Sequence, residues 1–368
     1  MTAGAPALGS VSRRARTLAL QTRALRIVGW TLLGVLVVAP ALWVLFIAPT
    51  TGRLATSFGS AVHDPRDFLI TVLNGVTAAA LYFVVASGFT MIFGLMRVVN
   101  MAHGAFFLFG GYVALRLQRD LVGQGAGFGL TSAQVNMTHW LVPTLVATLL
   151  IAAMGLAMQQ VFLRWNQGQE LRQALITIAI SIILADQMLA HWPLQESIAW
   201  PHTLDRFVSI GNVQYSLARL FMLAVAAAIG VLLWLWLQRT RTGMVIRAGV
   251  DDRQMVSALG INIQLTFAIA FAVGSALAGL GGVIGGSFAS LAPGVDANWL
   301  LYSLVVVIIG GMGSLGGAAI GSLLLGLTTN FSAAYLPSSY TYYSIIFTFV
   351  LVAIVLAVRP LGLFGRPA

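Results

Sequence analysis

The chain has 368 residues, of which 59% are hydrophobic and only 8% are charged, and its formal net charge is +10. A soluble globular domain carries about 25% charged residues, so this composition excludes one and predicts a polytopic membrane protein. All twenty basic residues are arginine, which excludes a phosphate-binding P-loop because that motif needs a lysine. Cysteine is absent, so disulfides and thiolate chemistry are excluded too. We assign the positive charge to loops flanking the membrane rather than to nucleic-acid binding.

The N-terminal region divides into a basic tail, 1–26, and an apolar run, 27–48. This run is longer than the apolar part of a signal peptide and long enough to span a bilayer, which takes about 20 residues. It is therefore interpreted as a retained first helix. We expect a single transmembrane domain over 27–358, with no linker inside it, and a C-terminal tail at 359–368.

Ten apolar stretches follow one another along the chain. The third, eighth and ninth are short or broken by glycine, so each is expected either to span or to re-enter the membrane. In chain order the stretches lie near 27–48, 68–93, 98–117, 140–162, 174–190, 215–237, 265–288, 299–312, 316–332 and 341–358.

The arginines predict the orientation of these stretches. More of them fall in segments on the side of the N-terminus than on the other side, and positive charge favours the cytoplasm. Five stretches per half would place the second half upside down relative to the first, a recurring transporter plan. The predicted fold is thus all-α and polytopic, with about ten transmembrane or half-spanning helices in two inverted five-helix halves and both termini cytoplasmic. Several aromatic residues near the predicted outer boundaries suggest an interfacial belt: Trp140, Trp192, Trp200, Trp299, Tyr340 and Tyr342.

The first predicted break in a helix runs from Gly94 to Gly104, with the sequence G-L-M-R-V-V-N-M-A-H-G. A helix starting near Asn100 would use that side chain as its N-cap, and His103 would lie in the first turn. The positive end of the helix would then face a transport pathway. Alternatively, Asn100 and His103 only satisfy backbone groups where the helix is interrupted.

The second predicted break lies in a glycine cluster. A polar, flexible turn is expected there, formed by Gly310, Gly311, Gly313 and Ser314. Glycines spaced by four let helices approach closely, and packing alone explains most of them. A polar turn at membrane depth is harder to explain by packing, because broken backbone there must lie inside protein or beside water. These four residues are therefore candidates for the pathway.

Asp186 is the one acidic residue inside a predicted span, and a carboxylate within the membrane is a functional candidate. It lies near the end of its helix, within reach of interfacial water, so we do not assign it to a proton relay.

A polar loop, 239–262, interrupts the apolar pattern. We expect a short helix that starts near Asp251 or Asp252, since acidic side chains favour a helix N-terminus, and that ends at Gly260. An apolar stripe on its surface would suit a groove on a partner, or alternatively the membrane surface. The residues expected to share this stripe are Met255, Val256 and Leu259.

Enzyme signatures are missing from the chain, since it contains neither an H-E-x-x-H zinc pair nor a G-x-S-x-G elbow. No catalytic, cofactor-binding or metal-ligating residue is predicted.

Five segments together resemble the membrane permease subunits of branched-chain amino acid ABC importers, in particular the H-type partner of the usual H/M pair. The resemblance extends from about residue 68 to the end, and the additional helix at 27–48 departs from the simplest members. The segments are Asn74 with Gly75, 94–112, 174–183, 242–261 and 310–321.

The resemblance implies an inner-membrane permease that pairs with a second, identical or different, permease. Two cytoplasmic ATPase subunits would carry the ATP and magnesium, a periplasmic binding protein would deliver the substrate, and this chain would bind no cofactor. Related permeases carry urea, short amides or aromatic acids, and an ATP-independent channel or secondary transporter is the alternative from another class. By this resemblance the loop residues Arg247, Asp251, Asp252, Met255, Leu259 and Gly260 couple the permease to the ATPase. The proposed pathway residues are Asn74, Asn100, His103, Gly104, Gly310, Gly311, Gly313 and Ser314.

Overall fold

A computed structural model describes seven segments of the chain: residues 65–96, 99–123, 130–192, 194–211, 213–251, 253–335 and 344–365. The predicted tail 1–26 and the predicted first helix at 27–48 lie outside the described residues, as does Asp252. Within the described part, eleven α-helices and one two-stranded hairpin are present. The all-α prediction is confirmed.

The helices follow the apolar stretches closely. In chain order they are α1 (Pro65–Met96), α2 (His103–Val122), α3 (Met137–Met158), α4 (Glu170–His191), α5 (Leu217–Arg239), α6 (Arg241–Asp251), α7 (Arg253–Ala258), α8 (Ile263–Phe288), α9 (Val295–Gly310), α10 (Leu315–Tyr335) and α11 (Ser344–Val358). A short antiparallel hairpin, β1 (Phe207–Ile210) and β2 (Val213–Ser216), precedes α5.

Six of the described helices are long and apolar enough to cross a membrane: α1, α3 with its continuation to Asn166, α4, α5, α8 and α10. Helices α9 and α11 are apolar but shorter. The protein is therefore a multi-pass membrane protein. Helix α8 is the most buried of the six and α4 the least, so α8 forms the centre of the bundle and α4 lies at its periphery.

Helices α1 and α8 run side by side in opposite directions. Gly88 of α1 packs on the backbone of Gly274, while Leu81 lies beside Gly285. The end of α1 and the start of α8 therefore share one face of the molecule with α6 and α7. We call this side the loop face, and the opposite side, where α8 ends, the far face. Small residues at these crossings allow the backbones to approach closely.

The helix contacts repeat between the two halves of the chain. Helix α1 packs on α10 as α8 packs on α3, and α2 packs on α3 as α9 packs on α10. Helices α1 to α4 thus correspond to α8 to α11, which agrees with the predicted division into two halves. The cytoplasmic position of the termini stays a prediction.

Candidate functional site

The chain folds back into the protein between α1 and α2. Helix α1 ends at Met96 on the loop face, yet His103 at the start of α2 contacts the backbone of Val85, which lies eleven residues before Met96. At 1.5 Å per residue, Val85 lies about 16 Å from the end of α1. The described residues of this link, 99–102, therefore lie inside the protein, and α2 starts at depth and runs to the far face.

A second re-entrant link enters from the opposite side. Helix α8 ends at the far face, and residues 289–294 lead back to the start of α9. Leu291 of this link is buried and packs against Gly111 and Gly286. Sequence analysis placed the second break at Gly310 instead; the structural counterpart of the first break is this link, which ends at Gly294 with a positive φ of 87°.

The two half-helices begin against each other. A Cβ atom on Gly104 of α2 would overlap the carbonyl oxygen of Asp296 in the first turn of α9 and would lie 3.1 Å from Cβ of Leu300. We call this meeting point the helix junction. Both helices direct their N-terminal ends, which carry partial positive charge, into the interior of the protein. Opposed half-helices of this kind surround the substrate site in transporters built from inverted repeats.

Asn100 and His103 lie at the helix junction and bind backbone groups. The Asn100 side-chain oxygen accepts a hydrogen bond from the backbone N–H of Ala102 at 3.1 Å, and His103 Nε2 lies 3.0 Å from the Val85 carbonyl oxygen. Helix α2 begins at His103 and its N-cap is Ala102. The predicted N-cap position of Asn100 was therefore two residues too early, because the re-entrant turn comes first.

Two polar atoms at the helix junction have no hydrogen-bond partner among the described residues. They are Asn100 Nδ2 and His103 Nδ1, and both are buried. Most buried polar groups in proteins are hydrogen-bonded, and exceptions mark function or unplaced water. The helix junction thus offers two free polar groups deep inside a membrane protein.

An aromatic cluster covers one side of the helix junction. Phe107 of α2 stacks on Trp299 of α9 with ring centroids 4.3 Å apart, and Tyr82 and Tyr302 lie beside Trp299 at 5.7 and 5.9 Å. Trp299 is buried, so its predicted place in an interfacial belt was wrong. Hydropathy cannot distinguish a tryptophan at the membrane surface from one at the start of a buried half-helix.

The glycine cluster predicted for the pathway forms a tight turn on the loop face. Gly311 and Gly313 have positive φ angles of 97° and 78°, and the Ser314 hydroxyl accepts the backbone N–H of Gly317 at 3.0 Å. Gly310 lies fourteen residues along α9 from Asp296, about 21 Å from the helix junction. A Cβ built on Gly94 of α1 would lie 2.6 Å from the Cα of Gly313, so the turn packs on the end of α1.

Asn74 lies nearer the far face. Its side-chain oxygen accepts hydrogen bonds from the Tyr215 hydroxyl at 3.3 Å and from Arg219. The guanidinium of Arg219 also lies 5.2 Å from the ring centre of Phe288. The predicted pathway residues therefore occupy three depths: Asn74 towards the far face, Asn100, His103 and Gly104 at the helix junction, and the glycine turn at the loop face.

Helices α6 and α7 form the predicted coupling loop. Met255 and Leu259 are 61% and 73% exposed, whereas Val256 is 3% exposed. Val256 therefore faces the protein, and its predicted place on the exposed stripe was wrong because α7 has only six residues and its buried side anchors it. Gly260, with φ of 75°, follows the helix as predicted. The Asp251 side chain lies outside the described atoms. We call Met255 and Leu259 the coupling surface.

A cleft connects the coupling loop to the glycine turn. Arg247 of α6 reaches this cleft and donates a hydrogen bond to the side-chain oxygen of Gln238 at 2.7 Å. Helix α6, α1, α5 and the glycine turn therefore border one space on the loop face. The lining residues are Ser87, Thr90, Met91, Gly94, Leu233, Leu237, Ile246, Arg247, Gly313 and Leu315.

A far-face loop after α4 holds the second re-entrant link. Glu196 and Leu291 exchange two backbone hydrogen bonds of 2.8 and 2.7 Å. The Glu196 carboxylate also accepts a hydrogen bond of 2.6 Å from Arg119, with 9% of the arginine side chain and 24% of the glutamate side chain exposed. The ion pair joins α2 to the loop, and the two backbone hydrogen bonds join the loop to the link.

Replacing Glu196 with alanine is expected to destabilise the protein by about 3 kcal/mol, because it leaves the Arg119 charge buried and unpaired. The control is Asp120→Ala, which breaks the exposed Arg116–Asp120 pair and should cost under about 1 kcal/mol. Thermal unfolding of the purified variants would compare them. Equal, small shifts in both variants would show that the Arg119–Glu196 pair does not hold the link.

Asp186 lies on α4, five residues before the helix ends at His191, and its side chain is exposed. It is therefore about 8 Å from the far-face end of the helix. Among the described residues, no group of three or more His, Asp or Glu side chains is placed to hold a metal ion.

Comparisons with known proteins agree with this architecture. A family model described as "Branched-chain amino acid transport system / permease component" matches residues 71–355. The high-affinity branched-chain amino acid transport system permease protein LivH of Escherichia coli K12 is 30% identical over 306 residues, covering 82% of this chain and 96% of that protein. BraD of Pseudomonas aeruginosa is 29% identical over 306 residues, with the same coverage.

A solved structure, "PsaBC from Streptococcus pneumoniae in complex with Fab", resembles the chain with a TM-score of 0.41 and 12% identity, covering 79% of this chain and 92% of that one. A probable branched-chain amino acid transport permease protein LivH from Methanocaldococcus jannaschii is 24% identical over 304 residues, covering 80% of this chain and 92% of that protein.

Proposed function

The chain belongs to the family of branched-chain amino acid transport permeases, and from that premise we propose that the helix junction is the constriction of its translocation pathway. It is a permease of branched-chain amino acid ABC import, and its task is transport. The observation that carries the proposal is the meeting of two half-helix N-termini at Gly104 and Asp296. The free polar atoms of Asn100 and His103 beside it support the same site.

The chemistry of the helix junction suits an amino acid. Two helix N-termini favour the substrate carboxylate, and the aromatic cluster of Tyr82, Phe107, Trp299 and Tyr302 suits an aliphatic side chain. In the described conformation Gly104 is in contact with α9, so the passage is closed at this depth. Transport then requires α2 and α9 to separate alternately towards the two faces.

The partners follow from this proposal. The permease would pair with a second permease in the bacterial inner membrane and receive its substrate from a periplasmic binding protein. Two cytoplasmic ATPase subunits would dock on the loop face and hydrolyse ATP with magnesium. The coupling surface is exposed and apolar and lies in the chain between the spans α5 and α8, and an apolar helix face of this kind suits a partner groove.

Movement of the ATPases would pass through α6 to the cleft. Gly243 of α6 packs on the backbone of Leu237, and Arg247 bonds to Gln238, so α6 moves with the end of α5. Because Ile246 and Gly313 line the same cleft, displacement of α6 would change how α1 packs on the glycine turn. That packing positions the loop-face ends of α1 and α9. Farther along, each of these two helices contacts the helix junction, α1 at Val85 and α9 at Asp296.

The proposal is tested first by purification of the chain from its native membrane, with mass spectrometry of the proteins that accompany it. We expect an ATPase and a second permease. A chain that purifies alone or only with copies of itself would contradict the importer and favour an ATP-independent channel or secondary transporter.

The second test is uptake into proteoliposomes containing the purified complex. We expect accumulation of leucine, isoleucine or valine only with ATP inside and the binding protein outside. Urea, short amides and aromatic acids serve as competitors, because related permeases carry them. Uptake of one of these compounds with no uptake of aliphatic amino acids would reassign the substrate, and uptake without ATP would overturn the mechanism.

A further inference from the structure

The segment after α11 is bound to the glycine turn. The backbone N–H of Leu363 donates to the carbonyl oxygen of Ile309 at 2.8 Å, and that of Phe364 donates to the carbonyl oxygen of Gly310 at 3.0 Å. Sequence analysis predicted a simple cytoplasmic tail over 359–368; its described part, 359–365, instead packs on the protein. We call residues 359–365 the C-terminal clamp.

The C-terminal clamp closes the end of α9. The last carbonyl groups of a helix lack partners within the helix, and two of them are satisfied here by the clamp. Gly362 has a positive φ of 80°, and a Cβ there would lie 2.6 Å from the backbone nitrogen of Gly311. A larger residue at position 362 would therefore push the clamp off the turn.

The outer surface of this assembly is apolar. Leu361 and Phe364 of the clamp are 46% and 49% exposed, and Met312 of the adjoining turn is 58% exposed. All three lie on the loop face, beyond the ends of α9 and α11. The neighbouring Gly313 lines the same cleft as Ile246 of α6. The patch is thus next to the coupling loop, on the same side of the molecule.

We propose that the C-terminal clamp is a second docking element for the cytoplasmic ATPase subunit, which contacts Leu361, Phe364 and Met312 while its groove holds the coupling surface. This inference rests on the proposed function. The ATPase is the occupant chosen because the patch adjoins the cleft that α6 lines and lies on the loop face, where that subunit would bind.

The consequence is mechanical. Helix α9 links the clamp at Gly310 to the helix junction at Asp296, about 21 Å away, without a break. A displacement of the clamp by the ATPase would therefore move α9, while a displacement of α6 would move α1 and α5. The ATPase would act on both sides of the passage at once, on α9 through the clamp and on α1 through the coupling loop.

The test uses the full complex with the double substitution Leu361→Asp and Phe364→Asp. We expect the amount of ATPase that purifies with the permease to fall by about tenfold or more, as for central residues of an interface, with no loss of folded permease in gel filtration. The control is Leu194→Asp with Phe207→Asp, two similarly exposed apolar residues of the far face, which should leave ATPase binding unchanged.

A second variant separates docking from transmission. Gly362→Val keeps the apolar side chains but displaces the C-terminal clamp from Gly311. We expect the ATPase to remain bound and to hydrolyse ATP. Amino acid uptake should fall at least about tenfold, because movement of the ATPase is no longer transmitted through the clamp to α9. Loss of folded permease in gel filtration together with the fall in uptake would assign the clamp to fold stability and overturn its coupling role.

Photo-crosslinking from position 364 identifies the occupant directly. A crosslink to the ATPase supports the proposal, whereas a crosslink to lipid or to the second permease overturns it. If wild-type permease carries the ATPase and the Leu361→Asp, Phe364→Asp variant carries it equally well, only this inference fails. If wild-type permease carries no ATPase, the proposed function itself fails.

Discussion

Substitution of both Met255 and Leu259 with aspartate is expected to abolish ATPase binding while leaving the permease folded. These two large apolar side chains are exposed, Met255 on α7 and Leu259 directly after it, and two carboxylates in an apolar groove would have to be buried without partners. Isolated charges are too costly to bury in this way. Each substitution should cost at least about 2 kcal/mol of binding energy, as for a central interface residue, and together they reduce affinity by about a thousandfold.

Three measurements are needed for that result to be informative. The amount of ATPase that purifies with the variant reports docking, gel filtration reports folding, and uptake reports function. The double variant Leu194→Asp with Phe207→Asp places the same charges on the far face and should bind the ATPase as wild type does. Substitution of Val256, which is 3% exposed, would instead be expected to damage the fold. Normal assembly of the Met255→Asp, Leu259→Asp variant would remove the coupling role of α7.

The transmembrane helices were predictable from the sequence because their apolar stretches are long and separated by polar turns. The predicted stretch at 265–288 corresponds to α8, Ile263–Phe288. A helix in the loop at 239–262 was also predictable, because a polar segment with helical spacing stands out between two apolar ones, but only the helix near Asp252 was predicted there and α6 was not. The exact exposed face of α7 was not predictable, since a helix of six residues gives too short a pattern to decide which side is buried.

The re-entrant links could not be predicted in the same way. Both are short and largely apolar, and hydropathy records only that a residue avoids water. It does not record whether that residue faces lipid or the interior of the protein. For this reason the predicted stretch 98–117 began five residues before α2 at His103. The second link carried one local signal directly before α9, Pro293 followed by Gly294. This dipeptide is typical of turns.

The roles of glycines also depend on contacts that sequence spacing does not show. Gly310, Gly311 and Gly313 were grouped with Gly104 as pathway candidates, but the first three lie in the loop-face turn and only Gly104 lies at the helix junction. Sequence separation could not reveal that Gly104 meets Asp296, a residue 192 positions later in the chain. This contact forms only when the two halves of the chain fold together and bring the starts of α2 and α9 to the same place.

Substitution of Gly104 with alanine is expected to prevent correct closure of the helix junction. The new Cβ would overlap the carbonyl oxygen of Asp296, and the obstacle is backbone rather than a side chain that can rotate away. Overpacking costs about 1–3 kcal/mol, which exceeds the gain of at most about 1 kcal/mol from placing alanine in a helix. The net effect is loss of stability, and uptake should fall because α2 and α9 can no longer meet.

The matched control for this experiment is Gly316→Ala. Gly316 is also the second residue of its helix, α10, and a Cβ there would meet no atom within 4 Å. Its substitution should therefore leave uptake unchanged and raise stability slightly, by up to about 1 kcal/mol. Thermal unfolding and uptake measured on both variants separate a general effect of alanine from a contact at the helix junction. Wild-type uptake by Gly104→Ala would mean that α2 and α9 do not need to touch during transport, and the constriction would have to lie at another depth, such as the glycine turn.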